Sequence, residues 1–154
     1  MSHRRFILFA ASLAVAAGCC PCRKYQRLYG VPLAGTLWRL VQFDGREVDD
    51  PEGRFTLRFD SGQRLSGRSG CNGYEASCRA EPGGRLHVGT LVSTQTACPD
   101  AEREEAFLDM LRQAFRYELD ARMLILSDSL RVRAVFEAAD ATPDAPRSDG
   151  SDTF

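Results

Sequence analysis

The sequence has few of the residues on which most enzyme mechanisms depend. It contains two histidines, and only His87 lies beyond the first 19 residues, within a predicted strand. A catalytic triad is therefore not expected, and a half-exposed strand residue is the simplest interpretation of His87. The sequence also lacks a glycine-rich phosphate loop and a zinc-ligand spacing. These absences predict no catalytic residue, no metal site and no cofactor.

The chain also lacks a strong excess of charge and any long apolar run. The formal net charge is -1, and without Arg4 and Arg5 there are 18 basic residues against 21 acidic ones. A nucleic-acid-binding protein would need a clustered basic surface, so no nucleic-acid partner is expected. The sequence has no internal repeat, and 154 residues are enough for one domain with appendages.

Residues 1–18 are predicted to form a lipoprotein signal peptide. Two arginines precede an apolar run at residues 6–15, which is too short to span a bilayer and is followed by Ala-Ala-Gly and Cys19. This pattern is typical of a bacterial lipobox, in which Cys19 carries the lipid. The alternative is an ordinary cleaved signal that happens to precede a cysteine. Because Cys20 stands where aspartate would retain a lipoprotein at the inner membrane, we expect the periplasmic face of the outer membrane.

Composition divides the rest of the chain into three parts. Residues 19–32 are predicted to be a flexible tether, because basic residues and two prolines interrupt any helix there. Residues 33–137 are predicted to form one folded domain. Residues 138–154 are acidic and poor in apolar side chains, so we predict a disordered tail that cannot bury enough surface to order itself.

Alternating apolar residues and turn signals predict a mainly antiparallel β-domain. Trp38 and Leu40 share one face of the first strand, and Trp38 is expected in the core. Gly67 is expected to mark a bulge or a close contact. The predicted strands cover residues 36–43, 46–48, 55–59, 63–68, 74–80, 86–88, 91–96, 117–119, 123–127 and 130–136.

Residues 100–116 give the one strong helix pattern. Asp100 is predicted to cap the helix, and three glutamates follow in the first turn, where the helix dipole favours negative charge. One apolar stripe should pack on the sheet. Its predicted members are Phe107, Met110, Leu111, Ala114 and Phe115.

Two short motifs stand out, Gly70-Cys71-Asn72-Gly73 and Thr96-Ala97-Cys98-Pro99. The first is typical of a tight turn. The second indicates a strand that ends in a cysteine before the helix. Together they resemble the META/HslJ-like domain family. The resemblance implies an α+β fold in which a strongly curved or barrel-like antiparallel sheet packs against one helix. It also implies a bacterial envelope lipoprotein linked to heat shock and novobiocin tolerance, and it supplies no catalytic residue.

The resemblance places Cys71 and Cys98 close together, and in an oxidising periplasm we expect them to form a structural disulfide. Gly70, Asn72, Gly73 and Pro99 are the motif residues expected to position them. A reactive Cys98 is the alternative, since a helix N-terminus lowers the pKa of a thiol. With Cys19 lipidated, the remaining cysteine count is odd. Cys78 is then either free or bonded to Cys20 or Cys22.

Three functions stay open from the sequence. The first is a non-enzymatic, monomeric outer-membrane lipoprotein that supports envelope integrity or antibiotic tolerance by binding an envelope protein. The second is a carrier of a small apolar ligand or lipid, which would need a pocket lined by Trp38 and the phenylalanines. The third is a thiol-dependent redox protein, which would need an unbonded Cys98.

The lipobox interpretation predicts the fate of a Cys19→Ala variant. Without the thiol that accepts the lipid, the signal peptidase for lipoproteins has no substrate, so the variant should accumulate as a precursor that incorporates no radiolabelled palmitate. Pulse-labelling followed by membrane fractionation measures both properties. Unchanged processing and membrane attachment of the variant would contradict the interpretation.

Overall fold

The computed structural model describes residues 30–61, 63–97 and 99–139. The predicted signal peptide, the lipid attachment residue Cys19 and most of the predicted tether and tail lie outside these residues. The described residues form nine strands and one helix, in the order β1 to β6, α1, β7 to β9. Their bounds are β1 Leu37–Phe43, β2 Arg46–Glu47, β3 Phe55–Asp60, β4 Arg64–Ser69, β5 Asn72–Ala80, β6 Leu86–Ser93, α1 Ala101–Gln113, β7 Arg116–Asp120, β8 Met123–Ser127 and β9 Val132–Ala138.

All strand pairs in the sheet are antiparallel, and the strands follow the order β6-β5-β4-β3-β1-β9-β8-β7, with β2 attached to β1. The sheet curls until its two ends meet at one place. There the Leu86 N–H donates to the Phe115 carbonyl at 2.9 Å, and the Tyr117 N–H donates to the Gly84 carbonyl at 2.7 Å. Gly84 has φ +86°, and a Cβ there would lie 2.6 Å from the Tyr117 carbonyl oxygen. The predicted α+β fold with a strongly curved sheet is confirmed.

The core lies between the inner face of the sheet and α1. Trp38 and Phe107 are both buried, as predicted. The Phe107 ring makes edge contacts with three rings of the sheet, at centroid distances of 5.3 Å to Phe55, 5.9 Å to Tyr74 and 6.2 Å to Phe136. These rings come from both halves of the curled sheet. The helix therefore joins strands that are far apart in sheet order. Within the described residues no helix is long and apolar enough to cross a membrane.

The folded part extends slightly beyond the predicted limits of 33 and 137. The Val31 N–H donates to the Ala121 carbonyl at 3.1 Å, and the Val31 side chain packs on the core. At the other end Ala138 pairs with Trp38 and is buried. Residues 31 and 138, which were assigned to the tether and the tail, thus belong to the domain because their backbone groups complete the sheet.

The predicted β-strand at residues 91–96 is wrong in its second half. Residues 86–93 form one continuous strand, and residues 94–97 are exposed and irregular. The Thr94 N–H still bonds to β5, since it donates to the Gly73 carbonyl at 3.0 Å. Beyond it, the Thr96 backbone bonds to the Asn72 side chain and not to a strand. The strand therefore ends five residues before Cys98.

The helix is shorter than predicted, because it ends at Gln113 and Ala114 is extended, with ψ 123°. Phe115 consequently leaves the predicted apolar stripe and is 44% exposed, with Arg85 stacked 5.5 Å from its ring centroid. Asp100 stands at the N-cap position but makes no side-chain cap bond. Its carboxylate lies 3.4 Å from the Arg54 guanidinium instead. The predicted capping role of the Asp100 side chain is therefore wrong.

Gly67 confirms the predicted close contact. A Cβ at this position would lie 2.1 Å from the Thr56 carbonyl oxygen and 2.7 Å from the Tyr74 hydroxyl. The Tyr74 hydroxyl needs this space, since it donates a 2.8 Å hydrogen bond to that same carbonyl. Burial raises the pKa of Tyr74 well above its ordinary value, which keeps the hydroxyl a donor.

We predict that Gly67→Ala destabilises the domain by roughly 2–3 kcal/mol, because the methyl group must displace backbone or break the tyrosine hydrogen bond. Urea unfolding followed by Trp38 fluorescence measures the loss. Gly73→Ala is the matched control in the next strand, where the nearest atom would be 3.9 Å from the new Cβ. Equal losses for the two variants would contradict the steric argument.

An ion cluster connects two turns at one end of the sheet. Arg133 on β9 donates from Nε to Asp44 at 2.6 Å and from Nη1 to Asp128 at 3.1 Å. The hydrogen bond from Arg133 lowers the pKa of Asp44, and the backbone N–H groups of Leu130 and Arg131 lower the pKa of Asp128. The hydrogen bond to Asp44 raises the pKa of Arg133.

These pKa shifts predict that the domain loses stability as the pH falls. Both carboxyl groups have lower pKa values in the folded protein than the ordinary 3.8, so their contribution is present above about pH 4 and is lost as the pH falls through the lowered values. The Asp44→Asn/Asp128→Asn variant should therefore lose less stability than the parent between pH 5 and pH 2, measured by thermal unfolding across that range. Asp49→Asn, at an exposed position, should keep the parental profile. Identical profiles for all three proteins would refute the assignment.

Candidate functional site

The β4–β5 turn is organised around a glycine and a buried asparagine. Ser69 pairs with Asn72 across a two-residue turn, and Gly70 adopts φ +85°, as its place in the motif predicted. The Gly70 N–H donates to the Arg54 carbonyl at 2.9 Å. Gly73, predicted to belong to the turn, lies instead in β5. Asn72 likewise belongs to the strand, and its importance comes from its side chain rather than from turn geometry.

The Asn72 side chain uses its full capacity for hydrogen bonds. Its Nδ2 group donates to Glu104 Oε2 at 2.9 Å and to the Thr96 carbonyl at 3.1 Å. Its Oδ1 accepts from the Thr96 N–H and from the Thr94 hydroxyl, both at 2.8 Å. An amide has two donors and two acceptor positions, so all four are occupied. Asn72 thereby holds the irregular segment at residues 94–97 in the way that a neighbouring strand would.

Glu104 is the second centre of this network. The side chain lies in the first turns of α1, is only 8% exposed, and accepts from the Ser69 hydroxyl through Oε1 at 3.0 Å. With the Asn72 bond to Oε2, both carboxylate oxygens have donors from the β4–β5 turn. We call Ser69, Asn72, Thr94, Thr96 and Glu104 the Asn72 cluster. The cluster fixes the start of the helix to the turn and to the segment that precedes the helix.

The sequence prediction missed the role of Glu104. It placed this glutamate with its neighbours as a favourable charge near the helix N-terminus, with no partner in the sheet. The signal that identifies it is spacing, because positions 104, 107, 108 and 111 fall on one helix face and the last three are buried. A lone carboxylate on an apolar face needs partners inside the protein.

A surface cleft lies beside the Asn72 cluster, between the segment 94–97 and α1. Its volume is about 380 Å³. Thr94, Gln95, Glu105 and Arg112 are exposed around it, and Leu108 forms part of its apolar wall. We call this feature the polar cleft. Its lining offers hydrogen-bond donors and acceptors, and its exposed charges are one carboxylate, Glu105, and one guanidinium, Arg112, which suits recognition of a polar surface.

The structure describes two of the cysteines. Cys71 is exposed at the turn. Cys98 lies outside the described residues, so its pairing with Cys71 stays a prediction. Pro99 lies just before the helix. Cys78 is a free, buried cysteine, and burial followed by the nearby Asp60 carboxylate raises the pKa of its thiol. Cys19, Cys20 and Cys22 also lie outside the described residues.

Other candidate groups are scattered. His87 is exposed on β6, and Trp38 is fully buried in the core. No group of three or more histidine, cysteine, aspartate or glutamate side chains in residues 30–61, 63–97 and 99–139 is arranged to hold a metal ion. The structure thus brings together the turn, the segment 94–97 and Glu104, and it separates His87 and Cys78 from them.

A curled antiparallel sheet capped by one helix, with a Gly-Cys-Asn turn fixed to the start of that helix, defines a distinct class of small α+β domains. The META domain family matches residues 31–141, and the chain belongs to this family. The match covers both motifs and every described strand, in agreement with the resemblance given by the sequence.

Solved structures share the fold. A protein from Burkholderia xenovorans studied by NMR is 27% identical, with a TM-score of 0.57, over 88% of this chain and 99% of that one. A second NMR structure is 20% identical, with a TM-score of 0.59, over 71% and 94%. A DUF4847 family protein from Bacteroides vulgatus, solved by crystallography, is 17% identical, with a TM-score of 0.51, over 69% and 93%. No curated protein matches the chain.

The Asn72 cluster predicts a large effect of Asn72→Ala. The substitution removes four hydrogen bonds. It leaves the Thr96 N–H without its acceptor and Glu104 Oε2 without its donor. We expect a loss of about 3 kcal/mol, measured by urea unfolding. Gln95→Ala, in the same segment but exposed, should change stability by less than about 0.5 kcal/mol. If the two variants were equally stable, the cluster would not be holding the segment.

We also predict that Cys71 is bonded to Cys98. Peptide mapping without reductant, on the oxidised and membrane-attached protein, should recover the two residues in one linked peptide. Replacing both with serine should destabilise the domain by about 2–4 kcal/mol, because the open chain gains conformational freedom when unfolded. Recovery of Cys98 as a free thiol would overturn the pairing and strengthen the redox alternative.

Proposed function

We propose that this META domain protein is a non-enzymatic lipoprotein of the cell envelope that binds a protein partner through the polar cleft. In this proposal Cys19 carries the lipid anchor, the domain faces the periplasm at the outer membrane, and the monomer supports envelope integrity or antibiotic tolerance under stress. The observation that carries the proposal is the internal bonding of the Asn72 cluster. All four hydrogen-bonding positions of Asn72 are occupied, and each oxygen of the buried Glu104 accepts from a neighbouring side chain.

A general acid or base must be able to reach a substrate. Glu104 is buried and directs both oxygens at Ser69 and Asn72, so the cluster is organised to position other groups. What it positions is the exposed segment at residues 94–97. A segment held in place by hydrogen bonds loses less conformational freedom on binding, and this lowers the cost of association. The arrangement therefore supports recognition rather than catalysis.

The alternative of a carrier for an apolar ligand has less support. Such a function calls for a pocket lined by Trp38 and the core phenylalanines. Trp38 is fully buried, and Phe55, Phe107 and Phe136 pack against one another in edge contacts. The space that a ligand would need is occupied by the helix side chains.

The redox alternative also has less support. A redox thiol must be accessible and form a thiolate readily. Cys78 is buried, and its thiol pKa is raised, so little thiolate exists at neutral pH. We expect Cys71 to be bonded to Cys98. This alternative depends on Cys98 and is tested by the peptide mapping described above.

Site-specific photocrosslinking tests the proposal. A photoreactive amino acid replaces Gln95 in the lipidated full-length protein, which is then irradiated in intact cells. We expect a discrete adduct with one envelope protein, and its loss when Arg112→Glu reverses a charge on the opposite wall of the polar cleft. The matched control carries the photoreactive residue at Arg46, which is exposed on β2. Equal adducts from both positions, or none from position 95, would refute binding through the polar cleft.

A growth assay connects that contact to the proposed role. A strain without the protein should lose novobiocin tolerance, and the parent chain should restore it. The Arg112→Glu chain should fail to restore tolerance although it accumulates at the parental level. Full restoration by this variant would separate the polar cleft from the stress function.

A further inference from the structure

The outer face of the sheet carries a second concave surface, which adjoins the polar cleft at Ser93 and Thr94. A groove of about 790 Å³ runs across five adjacent strands, β1, β3, β4, β5 and β6. Leu37 lies at one end and Val92 at the other, and these side chains are 43% and 61% exposed. We call this feature the outer groove. It places apolar surface in water at both ends, which favours an occupant.

Small residues create the outer groove. Gly73 presents no side chain there, and Ser66 is the residue opposite Arg58. Gly67 also lines the groove with its backbone, and the side chain it lacks would point to the inner face, towards the Tyr74 hydroxyl.

The outer groove is bordered by positive charge. Arg58 and Arg68 both line it and both are exposed. Arg58 lies 3.6 Å from Asp60, and no ion pair forms at Arg68 among the described residues. The one carboxylate of the lining, Glu75, is matched by Arg64 at 3.6 Å. The groove thus suits an occupant that carries negative charge.

The residues that follow Ala139 are a negatively charged segment that begins at the edge of the outer groove. The Ala139 N–H donates to the Leu37 carbonyl at 2.8 Å, so the residues that follow begin beside the apolar end of the groove. Residues 140–154 contain four aspartates and a single arginine. Pro143 and Pro146 favour an extended backbone, which matches a groove better than a compact turn does.

The distances agree with this arrangement. From β9 to β4, which carries Arg68, there are three strand spacings, or about 14 Å. An extended proline-containing segment rises about 3.1 Å per residue, so it covers that distance in roughly five residues. The fifth residue after Ala139 is Asp144.

We propose that the acidic segment at residues 140–152 lies in the outer groove, with Asp144 facing Arg68 and Arg58, and that it covers Leu37. A segment that cannot order itself can become ordered against a surface of opposite charge. The domain would then occupy its own outer groove and leave the polar cleft free for a partner. This inference does not depend on the proposed function.

Zero-length crosslinking tests the inference in the full chain. Lys24 is the single lysine of the sequence, so Arg68→Lys introduces one amine at the groove and keeps its charge. A carbodiimide should couple this amine to Asp144 or Asp140 within one chain, identified by fragmentation mass spectrometry. The adduct should disappear in about 0.5 M NaCl, where the Debye length falls to roughly 4 Å. Arg79→Lys is the control, exposed on the same strand as Glu75 but outside the groove.

Coupling of Lys at position 68 to the acidic segment, without coupling from position 79, supports the inference. Absence of any adduct with residues 140–152, or equal adducts from both positions, overturns it. Adducts that join two chains would assign the groove to a second copy and would overturn it as well. Thermal unfolding of each variant checks that the lysine substitutions leave the fold intact, which their exposed positions predict.

Discussion

The structure depends on the way one helix closes the inner face of a curled sheet through two anchors three residues apart. Phe107 contacts aromatic rings from β3, β5 and β9, and Glu104 accepts hydrogen bonds from the β4–β5 turn. A sheet that curls this strongly leaves an apolar interior that only a second layer can shield from water. The apolar anchor supplies most of the burial. The polar anchor fixes the position of the helix along its own axis, which dispersion contacts alone specify poorly.

Placing a carboxylate at the inner edge of a core is costly unless its partners are already fixed. Here the partners are fixed by the sheet, since Ser69 and Asn72 face each other across a hydrogen-bonded pair of strands. The other three hydrogen bonds of the Asn72 side chain go to Thr94 and Thr96. One asparagine therefore connects three parts of the chain that have no strand pairing with one another. An amide suits this position because it carries two donors and two acceptor sites in one plane.

Most of the sheet could be predicted from the sequence, because alternation of apolar residues reports directly which face of a strand is buried. Trp38, Phe55, Leu57 and Tyr74 follow that rule. The predictions from the sequence are wrong where a polar side chain takes the place of backbone pairing between strands. Residues 94–96 looked like the end of a strand, but the Thr96 backbone bonds to the Asn72 side chain and not to a strand. Glu104 looked like a surface charge because its donors come from a turn 32 residues away, and no local pattern records such a contact.

The pairing of β1 with β9 has a consequence for how the protein is made. β1 lies in the middle of the sheet, between β3 and β9, so its second partner is the last strand to be synthesised. A chain synthesised from its N-terminus exposes one edge of β1 until residue 138 has emerged. Contacts between such distant residues slow folding and prolong the period in which an unpaired strand edge can meet another chain. The edge of β1 at residues 37–43 therefore stays unpaired until nearly all of the domain has been synthesised.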